Sequence, residues 1–292
     1  MKFTINEFRK HYNTEAKCLD KIFQLRYGKL EACPECACVA SFRRITTRRS
    51  YQCKHCYAQF YPTAGTVFEK TRTPLCDWFY VIALFTYTRN GVSAMEIKRQ
   101  IGCTYKTAFR MGHKIRELIG GIGADKLKGF VELDETYYGQ RTPHLGRSLK
   151  DKTPVFAMVE RQGTVKALKV TDVKKNTLFP IIKNNVDKNA IVNTDEFKTY
   201  VNLNSDSHFV RHDVIKHELK KYRIGSVSTN TVEGYFSHLK RMLYGTHIHV
   251  SGKYLQNYIN EHSFRYNQRK TSNDMFDKII YKLPIVKNVP TS

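Results

Sequence analysis

Half of the cysteines occur in two closely spaced pairs. The pairs are Cys33 with Cys36 and Cys53 with Cys56, and sixteen residues separate one pair from the other. Two thiolates on a tight knuckle converge on one ion, and two such knuckles complete a tetrahedral zinc site. Disulfides are the alternative, but no secretory signal is visible after Met1 and the remaining cysteines are scattered in apolar contexts. The spacing predicts a structural Zn²⁺ site, with Cys38 and His55 as competing ligands.

A second set of residues suited to chemistry is acidic. Asp134 lies inside the predicted strand VELDETYY, and Asp195 directly follows the predicted strand AIVNT. Two aspartates on neighbouring strands, with one acidic residue from a helix on the sheet, can hold two Mg²⁺ or Mn²⁺ ions about 3.5 to 4 Å apart for in-line displacement at a phosphodiester. Turn or cap roles for both aspartates are the alternative. Because Glu135 and Glu196 follow them, the ligand within each pair is also open.

The segment TNTVEGYFSHLKR, residues 229–241, offers a candidate for the helical acid. Asn230 followed by Glu233, ahead of an apolar-periodic run, predicts a helix start with reciprocal capping. One helical stripe contains Asn230, Glu233, Ser237 and Lys240. A carboxylate that shares a face with a lysine suits a metal–phosphate site. The pattern leaves open whether Glu233 caps the helix or binds a metal.

The charge balance indicates a polyanionic partner. There are 49 lysines and arginines against 26 acids, a net charge of +23, and residues 37–68 and 234–260 contain no acid. Such an excess favours DNA, RNA or an anionic membrane. The longest strictly apolar run, residues 78–85, has 8 residues, whereas a membrane span needs about 20. The composition therefore favours a nucleic acid.

The elements that must position these residues predict a multidomain chain. The predicted segments are a helical lead-in (1–30), a zinc ribbon (31–70), a helix-turn-helix region (71–122), a catalytic α/β domain (128–270) and a C-terminal helix and tail (271–292). Strands are expected at 130–139, 154–161, 164–171 and 190–194, and helices at 177–185, 230–242 and 253–269. This order of elements is that of an RNase H-like sheet. In the lead-in, an apolar stripe ending at Phe23 is expected to pack on the ribbon.

Basic side chains in the first half predict two DNA contacts. The tip of the hairpin between the two knuckles carries Arg43, Arg44, Arg48 and Arg49. Residues 93–101 and a helix beginning near Thr104, separated by Gly102, form the helix-turn-helix pattern. Its second helix is expected to expose Tyr105, Lys106, Arg110, His113 and Lys114 to a major groove.

Several motifs together resemble a known family. They are CPEC, YQCKHCYAQFYPTAGTVF, VELDETYYG, NTDEFKTY, NTVEGYFSHLKRMLYGTHIHVS and FRYNQR. The chain resembles the DDE transposases of bacterial insertion sequences, in the group related to the eukaryotic Merlin elements. The resemblance implies a zinc ribbon and a helix-turn-helix before an RNase H-like catalytic domain. The implied activity is metal-dependent nicking and strand transfer of DNA at the ends of a mobile element.

The resemblance also implies roles for individual residues. The family's first aspartate falls on Asp134 and its second on Asp195. The third position in related proteins is Glu, Asn or His, followed by a basic residue. Glu233 is preferred here because Lys240 lies two helical turns further on the same face, and Asn230 remains the alternative or an additional ligand. Lys240, with Arg241, is expected to contact the phosphate backbone near the cut.

Two other classes of protein are alternatives to a transposase. A non-catalytic DNA-binding regulator would use the ribbon and helix-turn-helix without cutting, and an RNase H-like nuclease would cut without joining. The expected partners are the terminal repeats and a target DNA, without a membrane. Pairing of two ends implies a homodimer or higher oligomer, and the expected location is the bacterial cytoplasm, at the nucleoid.

Overall fold

The structure is a computed structural model that describes residues 4–120, 125–139, 152–201, 209–215, 228–271 and 274–284. The chain divides into two compact units, one formed by residues 1–121 with 271–292 and the other by residues 122–270. Among the described residues, no helix is long and apolar enough to cross a membrane.

The first unit begins with two helices and a small sheet. Helices α1 (Ile5–His11) and α2 (Glu15–Tyr27) precede an antiparallel sheet of β1 (Phe42–Ile45), β2 (Ser50–Cys53) and β3 (Gln59–Phe60). The ring of Phe23 on α2 stacks 3.8 Å from the ring of Tyr51 on β2. This contact confirms the prediction that the apolar stripe of the lead-in packs on the ribbon.

Four further helices complete the first unit. They are α3 (Leu75–Tyr87), α4 (Ala94–Ile101), α5 (Tyr105–Gly120) and α10 (Met275–Ile280). Ser93 caps α4 by accepting from the backbone N–H of Glu96, and α4 ends at Gly102, whose φ of +67° suits glycine. Helix α10 returns to this unit through Phe276, whose ring lies 5.8 Å from Phe79 on α3.

The second unit contains a five-stranded mixed sheet. Its strands are β4 (Phe130–Tyr138), β5 (Thr153–Glu160), β6 (Val165–Lys169), β7 (Ile191–Thr194) and β8 (Arg211–Val214). The order across the sheet is β6-β5-β4-β7-β8. β4, β5 and β6 are antiparallel neighbours, whereas β7 runs parallel to β4 and β8 runs parallel to β7. The four predicted strands are confirmed, and β8 was not predicted.

Helices cover both faces of this sheet. One face packs against α8 (Asn230–Arg241) and α9 (Leu255–Asn267) through an apolar cluster that includes Tyr138 and Val232. The other face packs against α6 (Lys175–Asn185) and α7 (Lys198–Val201) through a cluster that includes Leu133 and Tyr200. Because side chains alternate along a strand, β4 directs Glu132, Asp134 and Tyr138 toward α8, and directs Leu133 and Glu135 toward α7.

Candidate active site and zinc centre

The four predicted zinc ligands lie together in the first unit. Within the described part of the chain, they are the one group of three or more potential ligands whose donor atoms all lie within 4.8 Å of one another. The Sγ atoms of Cys33 and Cys56, and those of Cys36 and Cys53, are each 3.9 Å apart. Tetrahedral Zn²⁺ with Zn–S bonds of about 2.3 Å requires sulfurs about 3.8 Å apart, so the donor set fits zinc.

The surroundings of Cys53 favour the thiolate form that binds metal, whereas the pKa values of the other three thiols are raised. Backbone N–H groups, that of Cys56 first and then that of His55, lower the pKa of the Cys53 thiol to about 7 against the effect of burial. The backbone N–H of His55 donates to Cys53 Sγ over 3.4 Å. Cys38 and His55, expected as competitors, are exposed and outside the four-cysteine group.

The arginines of the hairpin tip have different environments. Arg49 pairs with Glu15 over 2.6 Å and donates to the Thr71 carbonyl over 2.9 Å, so it ties the hairpin to the rest of the unit. Arg43 donates to the Gln52 side chain on the neighbouring strand. Arg48 is exposed and makes no such bond among the described residues. Of the four predicted DNA contacts, Arg49 is the one already engaged in an ion pair.

The second helix of the predicted DNA-binding pair, α5, exposes most of the expected residues. Tyr105, Lys106, Arg110 and Lys114 are exposed. The prediction for His113 is wrong. Its side chain is 7% exposed and its ring lies 4.3 Å from the ring of Phe109, because position 113 falls within the buried stripe that runs from Met111 to Ile115.

The sheet register brings the two aspartates together. Glu132 on β4 pairs with Asn193 on β7 in parallel register, so two residues further along the strands Asp195 falls beside Asp134. Neighbouring strands are about 4.8 Å apart. The backbone N–H of Phe197 donates to Asp195 Oδ1 over 3.0 Å, which fixes that carboxylate at the end of β7. Two aspartates that lie 61 positions apart in sequence are thus neighbours on adjacent strands.

The N-terminus of α8 is bound to β4 by Glu132. The Oε2 atom of this fully buried residue accepts from the backbone N–H groups of Thr231 and Val232 over 2.7 and 3.0 Å. Its Oε1 atom accepts from Arg161 Nε over 2.7 Å. The predicted capping by Asn230 is therefore wrong, because Asn230 is the first residue of the helix. The N-terminal amides are satisfied by the carboxylate of Glu132 from the sheet. The positive end of the helix dipole also favours a carboxylate at this position.

This anchor sets the direction of the exposed stripe on α8. Val232, Tyr235 and Leu239 are buried against the sheet. The predicted stripe of Asn230, Glu233, Ser237 and Lys240 is exposed along its whole length. The Oε1 atom of Glu233 accepts from the hydroxyl of Thr229 over 2.9 Å. Glu233 is thus held at the helix start by a side chain, and a rotation about its own χ angles would release it.

Electrostatics connect the three predicted acidic ligands. Burial first, and then the charges of Glu135, Asp195 and Glu233, together raise the pKa of Asp134 to about 7 against the effect of a hydrogen bond from the Glu135 backbone N–H. Among the described residues, no lysine or arginine pairs with Asp134, Asp195 or Glu233. A cluster of carboxylates without a neutralising side chain fits a divalent cation of the Mg²⁺ type. The donor atoms of the three carboxylates do not all lie within 4.8 Å of one another.

Tyr200 and Glu135 form a second layer behind the aspartates. The hydroxyl of Tyr200, a fully buried residue on α7, donates to Glu135 Oε2 over 2.6 Å. Burial first, and the charge of Asp195 second, raise the pKa of Glu135, while the bond from Tyr200 lowers it. Glu135 is thus hydrogen-bonded to Tyr200 on the face of the sheet that lies opposite to Asp134. Glu196, the other acid of its pair, is exposed.

The two basic residues at the end of α8 differ in their contacts. Lys240 is exposed and makes no hydrogen bond or ion pair with any described residue. Arg241 bonds back to Ser237, at 3.4 Å to its carbonyl and 3.3 Å to its hydroxyl. The stripe of α8 therefore carries an acid at its beginning and an uncompensated cation two turns later.

The comparisons with known proteins agree with this arrangement. A model of the ISXO2-like transposase domain matches residues 126–267, and a model of the transposase zinc-ribbon domain matches residues 13–59. The chain is also 28% identical over 255 residues to an uncharacterised protein in the transposable element ISH50 of Halobacterium salinarum, covering 80% of this chain and 85% of the relative.

The two family matches together cover more than half of the chain, and each coincides with one of the sites described above. They define a transposase with an N-terminal zinc ribbon. The chain belongs to the ISXO2-like insertion-sequence transposases, which confirms the resemblance drawn from the motifs.

Proposed function

We propose that this transposase cuts DNA at the ends of its insertion sequence and joins the freed 3′ ends to target DNA in a metal-dependent reaction. The observation that carries the proposal is the grouping of Asp134, Asp195 and Glu233. They come from two neighbouring strands and from the helix packed on them, and each of the other two charges raises the pKa of Asp134. Perturbed carboxylates in one group are typical of a functional site.

The topology of the second unit supports an RNase H-like assignment. Three antiparallel strands in sequence order are followed by a helix and by two strands that extend the sheet in parallel from β4. In this arrangement the first aspartate lies in the central strand and the second follows the parallel strand beside it. That is the placement expected for the first two acids of a two-metal site.

The proposed chemistry divides roles among the residues. When bound, two Mg²⁺ or Mn²⁺ ions would activate a water molecule and stabilise the leaving oxygen. Asp134 and Asp195 are the fixed ligands, held by the sheet and by the Phe197 amide. Glu233 is the third ligand once it leaves Thr229, with Asn230 as the alternative. Lys240 binds a phosphate of the strand that is cut.

In this proposal, the first unit recognises the DNA at the ends of the element. The exposed Arg43 and Arg48 and the partly exposed Arg44 of the ribbon, together with the exposed face of α5, are basic, as a phosphate backbone requires. Helices α4 and α5 with the glycine turn between them are the proposed helix-turn-helix, and α5 is the proposed recognition helix. Joining two ends at one target favours a dimer, acting on DNA in the bacterial cytoplasm.

Metal rescue tests the ligand assignment. Asp134→Cys and Asp195→Cys should not cleave a plasmid that carries the gene with its flanking DNA in Mg²⁺, and should recover part of the cleavage in Mn²⁺, which tolerates a sulfur ligand better. Glu233→Ala and Asn230→Ala, compared under single-turnover conditions, identify the third ligand as the one whose loss costs more cleavage. The matched control is Ser237→Ala, which lies on the same stripe and should cleave normally.

Two outcomes would reject the proposal in different ways. Wild-type protein that binds its flanking DNA but never cuts it in Mg²⁺ or Mn²⁺ is a regulator. Protein that cuts, but leaves no joined product, is a nuclease. Equal cleavage by wild type and Asp134→Cys in Mg²⁺ would remove Asp134 from the reaction.

A further inference from the structure

The segment after α8 exposes a large apolar residue in a strained turn. Ile248 is 78% exposed and has a φ of +63°. The backbone N–H of His249 donates to the His247 carbonyl over 2.6 Å, so the three residues form a γ-turn with a positive central φ. That form of γ-turn is rare and strained, and a β-branched residue is among the least suited to it. Both the exposure and the backbone conformation are therefore costly at this position.

The flanks of the turn are fixed. The backbone N–H of Val250, which is 5% exposed, donates to the hydroxyl of Tyr138 over 3.1 Å. On the other side, the ring of His247 lies edge-on to the ring of Tyr258 at 4.6 Å. The chain is thus anchored to β4 and α9 on either side of Ile248. Strain that is maintained by packed flanks is typical of a functional segment.

The turn lies on the same face of the sheet as the proposed active site. Tyr138 follows Asp134 by four residues on β4, a distance of about 13 Å along a strand, and both side chains point toward α8. A π-helical turn, Met242–Thr246, connects α8 to the γ-turn, and the hydroxyl of Tyr244 donates to the Gly139 carbonyl over 3.2 Å. The helix that carries Glu233 and Lys240 therefore leads directly into the turn.

The charge around the turn indicates what contacts it. Residues 234–260 contain no acid, and they contain Lys240, Arg241 and Lys253. A DNA duplex offers phosphates to the lysines and an apolar base stack to Ile248, and the half-exposed ring of Tyr244 in the same segment is also compatible with contact to DNA. Proteins that kink DNA insert single apolar side chains, isoleucine included, between base steps.

We propose that Ile248 is a wedge that enters the DNA duplex near the scissile phosphate and unstacks one base step there. The inference rests on the proposed function for the identity of its partner. Unstacking separates the strand to be cut from its neighbour, and the rigid γ-turn spares the loss of backbone entropy on insertion. The distance of about 13 Å along β4 from Asp134 to Tyr138, which anchors the turn, corresponds to about four base pairs at about 3.4 Å each, so the unstacked step is expected about that far from the cut.

Fluorescence of 2-aminopurine tests the wedge. The probes are duplexes spanning the mapped cleavage position, with 2-aminopurine at each position within about four base pairs of it. Asp134→Ala protein, which should bind without cutting, is expected to raise the fluorescence at one step. Adding Ile248→Ala should return that fluorescence to the level of free duplex, and the control Val210→Ala, at a residue 70% exposed in the same unit, should leave it raised.

Cleavage rates and melting temperatures of Ile248 variants provide a second test of the wedge. Ile248→Ala alone should cleave roughly tenfold more slowly than wild type, from the loss of one apolar contact with the bases. Ile248→Gly should also cleave slowly but should melt at a higher temperature than wild type, because glycine relieves the positive φ. A merely structural isoleucine would give a lower melting temperature in both variants.

The outcomes separate the wedge from the proposed function. Unchanged fluorescence and cleavage in Ile248→Ala, with an active wild type, overturn the wedge alone. A self-association that is present without DNA and lost in Ile248→Ala assigns the residue to a protein contact and also overturns it. If wild type never cuts, the proposed chemistry fails. The 2-aminopurine probes are then placed across the part of the flanking DNA that the protein protects from nuclease, and a fluorescence change there that depends on Ile248 still supports the wedge.

Discussion

Replacing Asp134 with asparagine should stabilise the metal-free protein while abolishing its proposed activity. The carboxylate is largely buried, and burial with the charges of Glu135, Asp195 and Glu233 raises its pKa from the ordinary 3.8 to about 7. Asparagine is nearly isosteric, and its Oδ1 atom can still accept the Glu135 backbone N–H that now donates to Asp134 over 2.8 Å. The substitution therefore removes the charge with little other change.

The sign and size follow from linkage. The folded pKa of Asp134 lies above the unfolded value, so the folded state binds more protons between pH 3.8 and about 7. Stability therefore falls as the pH rises through that window, and the full penalty is present above pH 7. At about 1.4 kcal/mol per pH unit the ceiling is about 4 kcal/mol, and relaxation of partly exposed neighbours should reduce the observed gain to about 2 kcal/mol.

Urea unfolding at pH 8 and at pH 5, without added divalent cation, measures the effect. Asp134→Asn should raise the free energy of unfolding at pH 8 by about 2 kcal/mol, and by clearly less at pH 5. Added Mg²⁺ should stabilise wild type more than the variant. Asp172→Asn is the control, because hydrogen bonds from Thr177 and Lys174 lower the pKa of Asp172 and its neutralisation should bring no gain at pH 8. A variant no more stable than wild type at pH 8 would show that the charge of Asp134 does not destabilise the metal-free fold.

Three further predictions concern other residues. Glu132→Gln should lower the free energy of unfolding by about 3 kcal/mol, because it leaves Arg161 without its charged partner. It should also speed amide exchange at the start of α8. Unchanged amide exchange would contradict the role of Glu132 in anchoring this helix. Burial first, and then the charges of Arg265 and His238, lower the pKa of His262 from 6.5 to about 4, against a smaller effect of Glu261. The free energy of unfolding should therefore decrease as the pH falls from 6.5 toward 4. A His262→Leu variant with the same pH profile would contradict this prediction. Cys36→Ser should reduce the zinc content, measured by atomic emission, and make the ribbon sensitive to protease, whereas Cys38→Ser should do neither.

Local spacing was sufficient where neighbours in sequence are also neighbours in space. The Cys-x2-Cys pairs gave the zinc ligands because each knuckle is formed within a few residues. The alternation of apolar and polar residues gave β4 to β7, and the 3.6-residue period gave the exposed stripe of α8. The aspartates could be proposed as neighbours because parallel strands meet at one edge of a sheet.

Tertiary contacts account for what the sequence did not reveal. Glu132 binds Arg161 and the first amides of α8, which lie about a hundred positions further along the chain, so no local pattern marks it as the helix cap. A carboxylate inside an apolar strand, two residues before Asp134, was the available signal. β8 and α7 have four residues each, too few for a period to be visible. Ile248 could not be recognised because nothing in GTHIHVS specifies a positive φ.

Sequencing every new DNA junction that the purified protein forms tests the proposed strand transfer directly. The substrate is a plasmid carrying the gene with its flanking DNA, incubated with target DNA and Mg²⁺. We expect junctions in which the 3′ ends of the element are joined to target DNA, present with wild type and absent with Asp134→Asn. Nicks without junctions, or junctions formed equally by Asp134→Asn, would contradict this expectation.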